Sequence, residues 1–264
     1  SEMCIRDSTY IMGILNVTPD SFSDGGKFNQ IDAALKHAEE MIRDGADVID
    51  IGGESTRPGY TKISDEEETD RVVPVIEAVK KEFGIPISVD TYKSGVAEAA
   101  AQAGADLIND IWGLKYDPHM SEVIAKSGLA CCLMHNRDNT EYRNFMEDVK
   151  QDLRETIALA KAAGIADDKI ILDPGVGFAK SYENNLEVIR RLKEFNELKY
   201  PVLLGTSRKS VIGLTLDLPA AERVEGTIVT TVMAVEAGCM FVRVHDVKEN
   251  HRAIQMAEAI LDRK

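Results

Sequence analysis

The stretch IMGILNVTPDSFSDGG, residues 11–26, decides how the rest of the chain is read. An unbroken apolar run over residues 10–15 turns polar at Asn16. Such a run, bounded by turn formers, reads as a strand buried on both faces. Residues 17–26 have the composition of a loop, with Pro19 and the pair Gly25-Gly26, yet most of their other side chains can hydrogen-bond or carry charge. A buried strand that delivers a long polar loop is how α/β barrels build active sites, because the loops after the strands converge on one face.

Outward from that stretch the same unit recurs. Asp32 can cap a helix over 33–43 that stops before Gly45. Residues 48–51 read as a strand, followed by a second polar loop, GGESTRPGY, at 52–60. A helix is expected over 66–83, kinked or restarted at Pro74, since proline lacks the N–H and crowds the preceding turn. Further strands over 86–89, 106–108, 130–134, 170–172, 202–204 and 241–244 alternate with helices over 94–103, 119–127, 145–163, 184–195, 220–237 and 247–261. Several helices end at a glycine (Gly45, Gly104, Gly238) that can take the left-handed cap before the next strand.

Eight strand-then-helix units predict an α/β fold, a (β/α)8 TIM barrel, as a single domain over 9–264. A doubly wound open sheet is the alternative, but no Gly-rich dinucleotide turn follows the first strand. Residues 1–8, SEMCIRDS, match nothing in the periodic pattern and are read as a non-native or disordered end.

Composition agrees with this outline. A chain of 264 residues suits one barrel, and 44% hydrophobic residues suffice for a large core. A net charge of −14 argues against nucleic acid or an anionic membrane as a bulk partner. It leaves room for a small anionic ligand, which responds to local charge. No apolar stretch approaches the roughly 20 residues of a membrane span. The cysteines (Cys4, Cys131, Cys132, Cys239) show no metal spacing, and the adjacent pair should face opposite sides of a strand. With no disulfide pattern and no secretory signal, a cytoplasmic location is expected.

The strand ends carry the chemistry: Asn16, Asp24, Thr56, Arg57, Asp90, Asn109, Asp173, Lys209, Arg243 and His245. A lone Asp there could be a helix cap. Three acceptors (Asp90, Asn109, Asp173) in the same slot of three strands would instead line a pocket for several N–H donors. A planar heterocycle with an amidine- or guanidine-like edge has such donors. A purely structural polar network at the mouth is the alternative. A second group, Arg57, Arg208, Lys209, Arg243 and His245, with Asn16, Thr56 and Ser210, points to an anionic ligand. Arg243 lies within a short apolar strand, where a charge needs a partner. His135 reads as a satisfied histidine of the barrel mouth and Trp112 as a wall or rim residue.

These residues fall into motifs that together resemble the dihydropteroate synthase family of folate biosynthesis. They are NVTPDSFSDGG (16–26), GGESTRPG (52–59), SVD (88–90), NDIWG (109–113), LMH (133–135), DPGVGF (173–178), GTSRKS (205–210) and RVHD (243–246). The resemblance implies a transferase that condenses 6-hydroxymethyl-7,8-dihydropterin diphosphate with 4-aminobenzoate, giving 7,8-dihydropteroate and diphosphate. It implies Asp90, Asn109, Ile111, Met134, Asp173, Phe178, Gly205 and Lys209 around the pterin. Asn16, Thr56, Arg57, Arg243 and His245 would hold the diphosphate, with Mg²⁺ between it and Asn16. Arg57, Pro58, Phe178, Lys209 and Ser210 would shape the aminobenzoate site, and Asp20, Ser21, Phe22 and Asp24 would ride on a flexible loop. Asp90, Lys209, Arg243 and His245 are the implied catalytic residues.

The resemblance also implies a homodimer through the late helices, inhibition by sulfonamides, and an N-terminal hairpin that SEMCIRDS leaves reduced or absent. Two rival readings are a pterin-barrel methyltransferase, which needs no diphosphate site, and a catalytically silent pterin-binding paralogue. The cationic strand ends speak against the first, and the complete motif set against the second.

Overall fold

The computed structural model describes residues 8–18, 27–55 and 61–263, without the side chains of 27–29. Within them eight strands are found: β1 (Tyr10–Asn16), β2 (Val48–Gly52), β3 (Ile87–Asp90), β4 (Leu107–Asp110), β5 (Ala130–Met134), β6 (Ile170–Asp173), β7 (Leu203–Leu204) and β8 (Phe241–Val244). All pair in parallel, in the order β6-β5-β4-β3-β2-β1-β8-β7. A parallel bridge between Leu172 and Val202 joins the two ends, so the sheet curls into a barrel.

Helices wrap the outside: α1 (Lys27–Arg43), α2 (Asp65–Phe83), α3 (Ser94–Ala103), α4 (Met120–Ser127), α5 (Phe145–Ala162) and α6 (Tyr182–Arg190). After β7 come two, α7 (Ser210–Leu216) and α8 (Val224–Ala237), and α9 (Val247–Ile260) follows β8. No helix among the described residues is long and apolar enough to cross a membrane.

The two-residue period of the strands sorts every side chain. Outward residues such as Ile49, Ile51, Val89, Ile108, Leu172 and Val242 join the main core against the helices, where α2 contributes Val72, Val75, Ile76 and Val79. Inward residues Met12, Leu107, Cys132, Ile171 and Leu203 form a separate apolar floor inside the barrel. Cys131 belongs to the outer core and Cys132 to the floor, the opposite facing expected of neighbours in a strand. Each of these buried aliphatic side chains contributes about 1.5–3 kcal/mol.

One inward step further along the strands the chemistry changes. Val48 gives way to Asp50, Leu107 to Asn109, Cys132 to Met134, Ile171 to Asp173, Leu203 to Gly205 and Phe241 to Arg243. An apolar floor therefore carries a polar layer at the C-terminal ends of the strands.

Helix boundaries depart from the sequence expectation in four places. Asp32 lies inside α1, because the apolar spacing of Ile31, Leu35 and Ile42 runs back past it. Pro74 is accommodated within a single helix, whose buried face continues on both sides of it and whose start is capped by Ser64. The helix expected over 184–195 ends at Arg190 and passes into a 3-10 segment, Leu192–Leu198. The stretch before 220, for which no helix is expected, contains α7, with Pro219 separating it from a 3-10 turn and α8.

Of the stretch 1–8, Ser8 is described and is held in place: its hydroxyl donates to Glu258 Oε2 at 3.0 Å, and the Thr9 N–H donates to Oε1 at 2.7 Å. The expected hairpin position lies outside the described residues.

Candidate active site

The centre of the polar layer is Arg243. Its Nε donates to Asp50 Oδ2 at 2.6 Å and its Nη2 to Asp90 Oδ2 at 2.7 Å. Ser88 Oγ donates to Asp50 Oδ1 at 2.5 Å, and Asn109 Nδ2 lies 3.4 Å from Asp50 Oδ2. The register explains the grouping, since Asp50 pairs with Ser88 and Asp90 with Asn109 on neighbouring strands. Asp50, Ser88, Asp90, Asn109 and Asp173 are all buried.

Asp90 Oδ1 is buried with no hydrogen-bond partner among the described residues. An unpaired buried acceptor costs about 1–3 kcal/mol, so it marks where a ligand donor would be worth most. Burial, opposed by Arg243, raises the Asp90 carboxyl to about 7. Arg243 is pushed upward although burial works against it, because Asp50 and Asp90 flank the guanidinium.

Across the mouth, Asp173 Oδ1 accepts the Gly175 N–H at 2.7 Å. Burial raises this carboxyl too, opposed by Lys209. Lys209 Nζ donates to Val176 O at 2.5 Å and stands 4.8 Å from the Phe178 ring centroid. Burial lowers this ammonium to about 8. A Cβ on Gly205 would come 3.5 Å from Asp173 Oδ2 and 3.8 Å from Lys209 Nζ, so the missing side chain leaves space between them. Tyr92, Ile111 and Met134, with Trp112 and Phe178 packed beside them, form the apolar wall. The mouth thus offers buried acceptors, two cations and a flat apolar surface, which suits a planar, polar-edged heterocycle.

The anion side is less compact. His245 Nδ1 lies 2.9 Å from Ser207 Oγ, which also accepts the His245 backbone N–H at 3.1 Å. Asn16 ends β1, and a Cβ on Gly52 would fill the space between Asn16 Oδ1 at 3.7 Å and Asp90 Oδ2 at 3.8 Å. Arg208 does not join the converging cations. It is paired with Asp246, Nε to Oδ2 at 3.0 Å. Ser210 is exposed at the start of α7 and lines a cavity of about 470 Å³ with Gly213, Leu214, Asp217 and Arg223. Asp20, Ser21, Phe22, Asp24, Thr56, Arg57 and Pro58 lie outside the described residues.

His135 is a satisfied histidine, as the sequence suggests. Its Nε2 is 2.9 Å from Asp152 and its Nδ1 2.8 Å from Lys180 Nζ. Burial lowers this imidazole to about 4, so at pH 7 it is neutral. Burial also lowers Lys180, to about 7. Two members of the mouth were missed from the sequence, Asp50 and Ser207. Asp50 carried the same signal as Arg243, a charge within a short apolar strand. Ser207 lay in a polar motif with nothing to single it out.

Residues 12–245 match the family described as pterin binding enzyme. The chain is 62% identical over 263 residues to the dihydropteroate synthase of Clostridium beijerinckii, covering 99% of this chain and 98% of that one. Among solved structures, it is similar to a dihydropteroate synthase of Clostridium difficile crystallised in the presence of pteroic acid. That TM-score is 0.95 at 53% identity, covering 98% of each chain. A Yersinia pestis dihydropteroate synthase in a sulfonamide drug complex gives 0.91 at 45% identity, covering 97% of this chain and 95% of that one.

Proposed function

The chain belongs to the pterin-binding enzyme family, on its dihydropteroate synthase branch, and from that premise we propose how its barrel mouth works. The reaction condenses 6-hydroxymethyl-7,8-dihydropterin diphosphate with 4-aminobenzoate, giving 7,8-dihydropteroate and diphosphate. The observation that carries the assignment of roles is Asp90 Oδ1, unpartnered among the described residues, beside Arg243 in a mouth that also holds Asp173 and Lys209.

The pterin's amino-pyrimidine edge donates to Asp173 and meets Asn109. Lys209 reaches its carbonyl and ring nitrogen, and Ile111, Met134, Phe178 and Gly205 pack its faces. The dihydropyrazine side turns to Asp90. Diphosphate binds Arg243 and His245, with Asn16, Thr56 and Arg57. Arg243 has five N–H groups, and its bonds to Asp50 and Asp90 use two of them. The bond from the exocyclic carbon to the diphosphate oxygen breaks first, its electron pair leaving with diphosphate. The resulting cation is delocalised into the electron-rich ring. Preorganised negative charge at Asp90 stabilises that cation. The aminobenzoate nitrogen, placed by Phe178, Ser210, Lys209, Arg57 and Pro58, then attacks the carbon and loses a proton. The loop bearing Asp20, Ser21, Phe22 and Asp24 keeps competing water out.

Mg²⁺ fits this site. Carbonyl as well as carboxylate oxygens suit it, substrate phosphates commonly complete its shell, and the Asn16 amide oxygen lies beside the space that Gly52 leaves open. When bound there it would neutralise charge on the leaving group. A homodimer through the late helices belongs to the same reading, supported by exposed Leu214, Leu216, Val229 and Val232 on α7 and α8. So do sulfonamide inhibition at the aminobenzoate site and a cytoplasmic location, the latter supported by free, buried Cys131, Cys132 and Cys239.

A binding comparison separates this function from the methyltransferase alternative. The dihydropterin diphosphate should bind far more tightly than a methylated folate, and removing its diphosphate should weaken it. Tight methylfolate binding with no dependence on diphosphate would sink the synthase assignment.

A further inference from the structure

Lys180 is a buried cation that the proposed chemistry does not use. Its Nζ donates in three directions: to His135 Nδ1 at 2.8 Å, Gly175 O at 2.9 Å and Phe178 O at 3.1 Å. His135 follows β5 and is itself anchored by Asp152 on α5. Gly175 and Phe178 lie in the β6–α6 loop. One ammonium therefore ties that loop to the neighbouring strand end with all three of its protons.

The loop needs such a tie. Gly175, Gly177 and Ala179 have φ of 71°, 87° and 47°, so three of five consecutive residues are left-handed, one of them with a Cβ. Glycine takes such angles freely, so the strain sits at Ala179, a non-glycine left-handed residue that persists only where its surroundings hold it. Tyr142 OH, donating to Ala179 O at 2.7 Å, and Asn185 Oδ1, accepting Gly177 N–H at 2.6 Å, hold two other points of the loop. Lys180 holds Gly175 and Phe178, the residues on either side of Val176 and Gly177.

The same loop aims two groups of the mouth. Its Gly175 N–H fixes Asp173 Oδ1 and its Val176 O fixes Lys209 Nζ. Phe178, whose carbonyl Lys180 grips, places its ring beneath Lys209.

We propose that Lys180 is a positioning residue: braced by His135, it sets the β6–α6 loop so that Asp173 and Lys209 meet the pterin at the correct spacing. This inference rests on the pterin site proposed above.

The test uses K180M, which keeps the length and removes the charge. Hydrogen exchange on the ligand-free protein should show faster exchange across residues 175–180. Calorimetry with 6-hydroxymethylpterin should show binding weaker by about tenfold. In a double-mutant cycle with D173N, the loss in the double variant should fall clearly below the product of the two single losses, because Lys180 acts through Asp173. A merely structural lysine would give losses that multiply, which overturns the proposal. Unchanged exchange in K180M overturns it as well. If the unsubstituted chain does not bind the pterin, the site assignment itself fails, and the exchange result still decides whether Lys180 holds the loop. Should K180M not fold, H135L removes one of the three acceptors and must show the same direction in both readouts.

Discussion

Asp90 shows how one residue can be placed for chemistry at the expense of the fold. Burial lifts its carboxyl from 3.8 to about 7. Between those values the folded chain holds a proton that the unfolded chain has shed. Stability from this group therefore falls as pH rises through that window. Asp90→Asn cannot titrate, so its melting temperature relative to the parent should climb between about pH 4 and about pH 7 and level off above, while turnover is lost. Thermal melts of both proteins across that range check it, and parallel curves would contradict it. Asp173→Asn should weaken pterin binding by roughly 1–3 kcal/mol through loss of a charge-assisted bond. An unchanged dissociation constant would remove Asp173 from the pocket. At this scale the sequence was most informative where a charge interrupts an apolar strand. Arg243 was legible for that reason, and Asp50 could have been found the same way, whereas Asp90 and Asp173 were legible as acceptors in the same slot at the ends of their strands. What stayed hidden was pairing. That Arg208 spends itself on Asp246, or that Ser207 orients His245, depends on side-chain directions that strand order alone does not specify.

Among elements, strands were easier to locate than helix ends. A strand's alternation separates the floor residue Cys132 from the core residue Cys131 over a single step, and that pattern is local. The helix ends are set by packing and by competing turns, which is why α6 stops at Arg190 and α7 emerges from a polar motif. The β6–α6 loop depends on a backbone shape that only its surroundings enforce. Gly175 sits at φ 71°, and a Cβ there would lie 2.0 Å from His135 O. Gly175→Ala should therefore cost about 2 kcal/mol or more and loosen pterin binding along with it. A variant that melts and binds like the parent would show that the loop can be remade without a penalty.

For the molecule as a whole, the eight parallel strands of the described residues position one polar layer above one apolar floor, and the helices insulate both. The barrel was legible because its repeating unit is visible in the apolar periodicity, and the motifs fell at the C-terminal strand ends that such a fold brings together. Assembly is different, since an exposed apolar face does not reveal its partner in sequence. Leu214 and Val229 are 67% and 60% exposed on neighbouring helices. If they meet a second copy, replacing both with Glu should convert a dimer to a monomer in sedimentation velocity, with the barrel still folded. A parent chain that already sediments as a monomer would contradict the dimer.

The central claim is that this mouth ionises a dihydropterin diphosphate and hands the carbon to an aromatic amine. Its most direct test tracks diphosphate and dihydropteroate together, starting from the pterin substrate with and without 4-aminobenzoate and Mg²⁺. With all components present, the two products should appear in equal amounts, and Asp173→Asn should slow both alike. A folded sample that releases no diphosphate under those conditions would contradict the account.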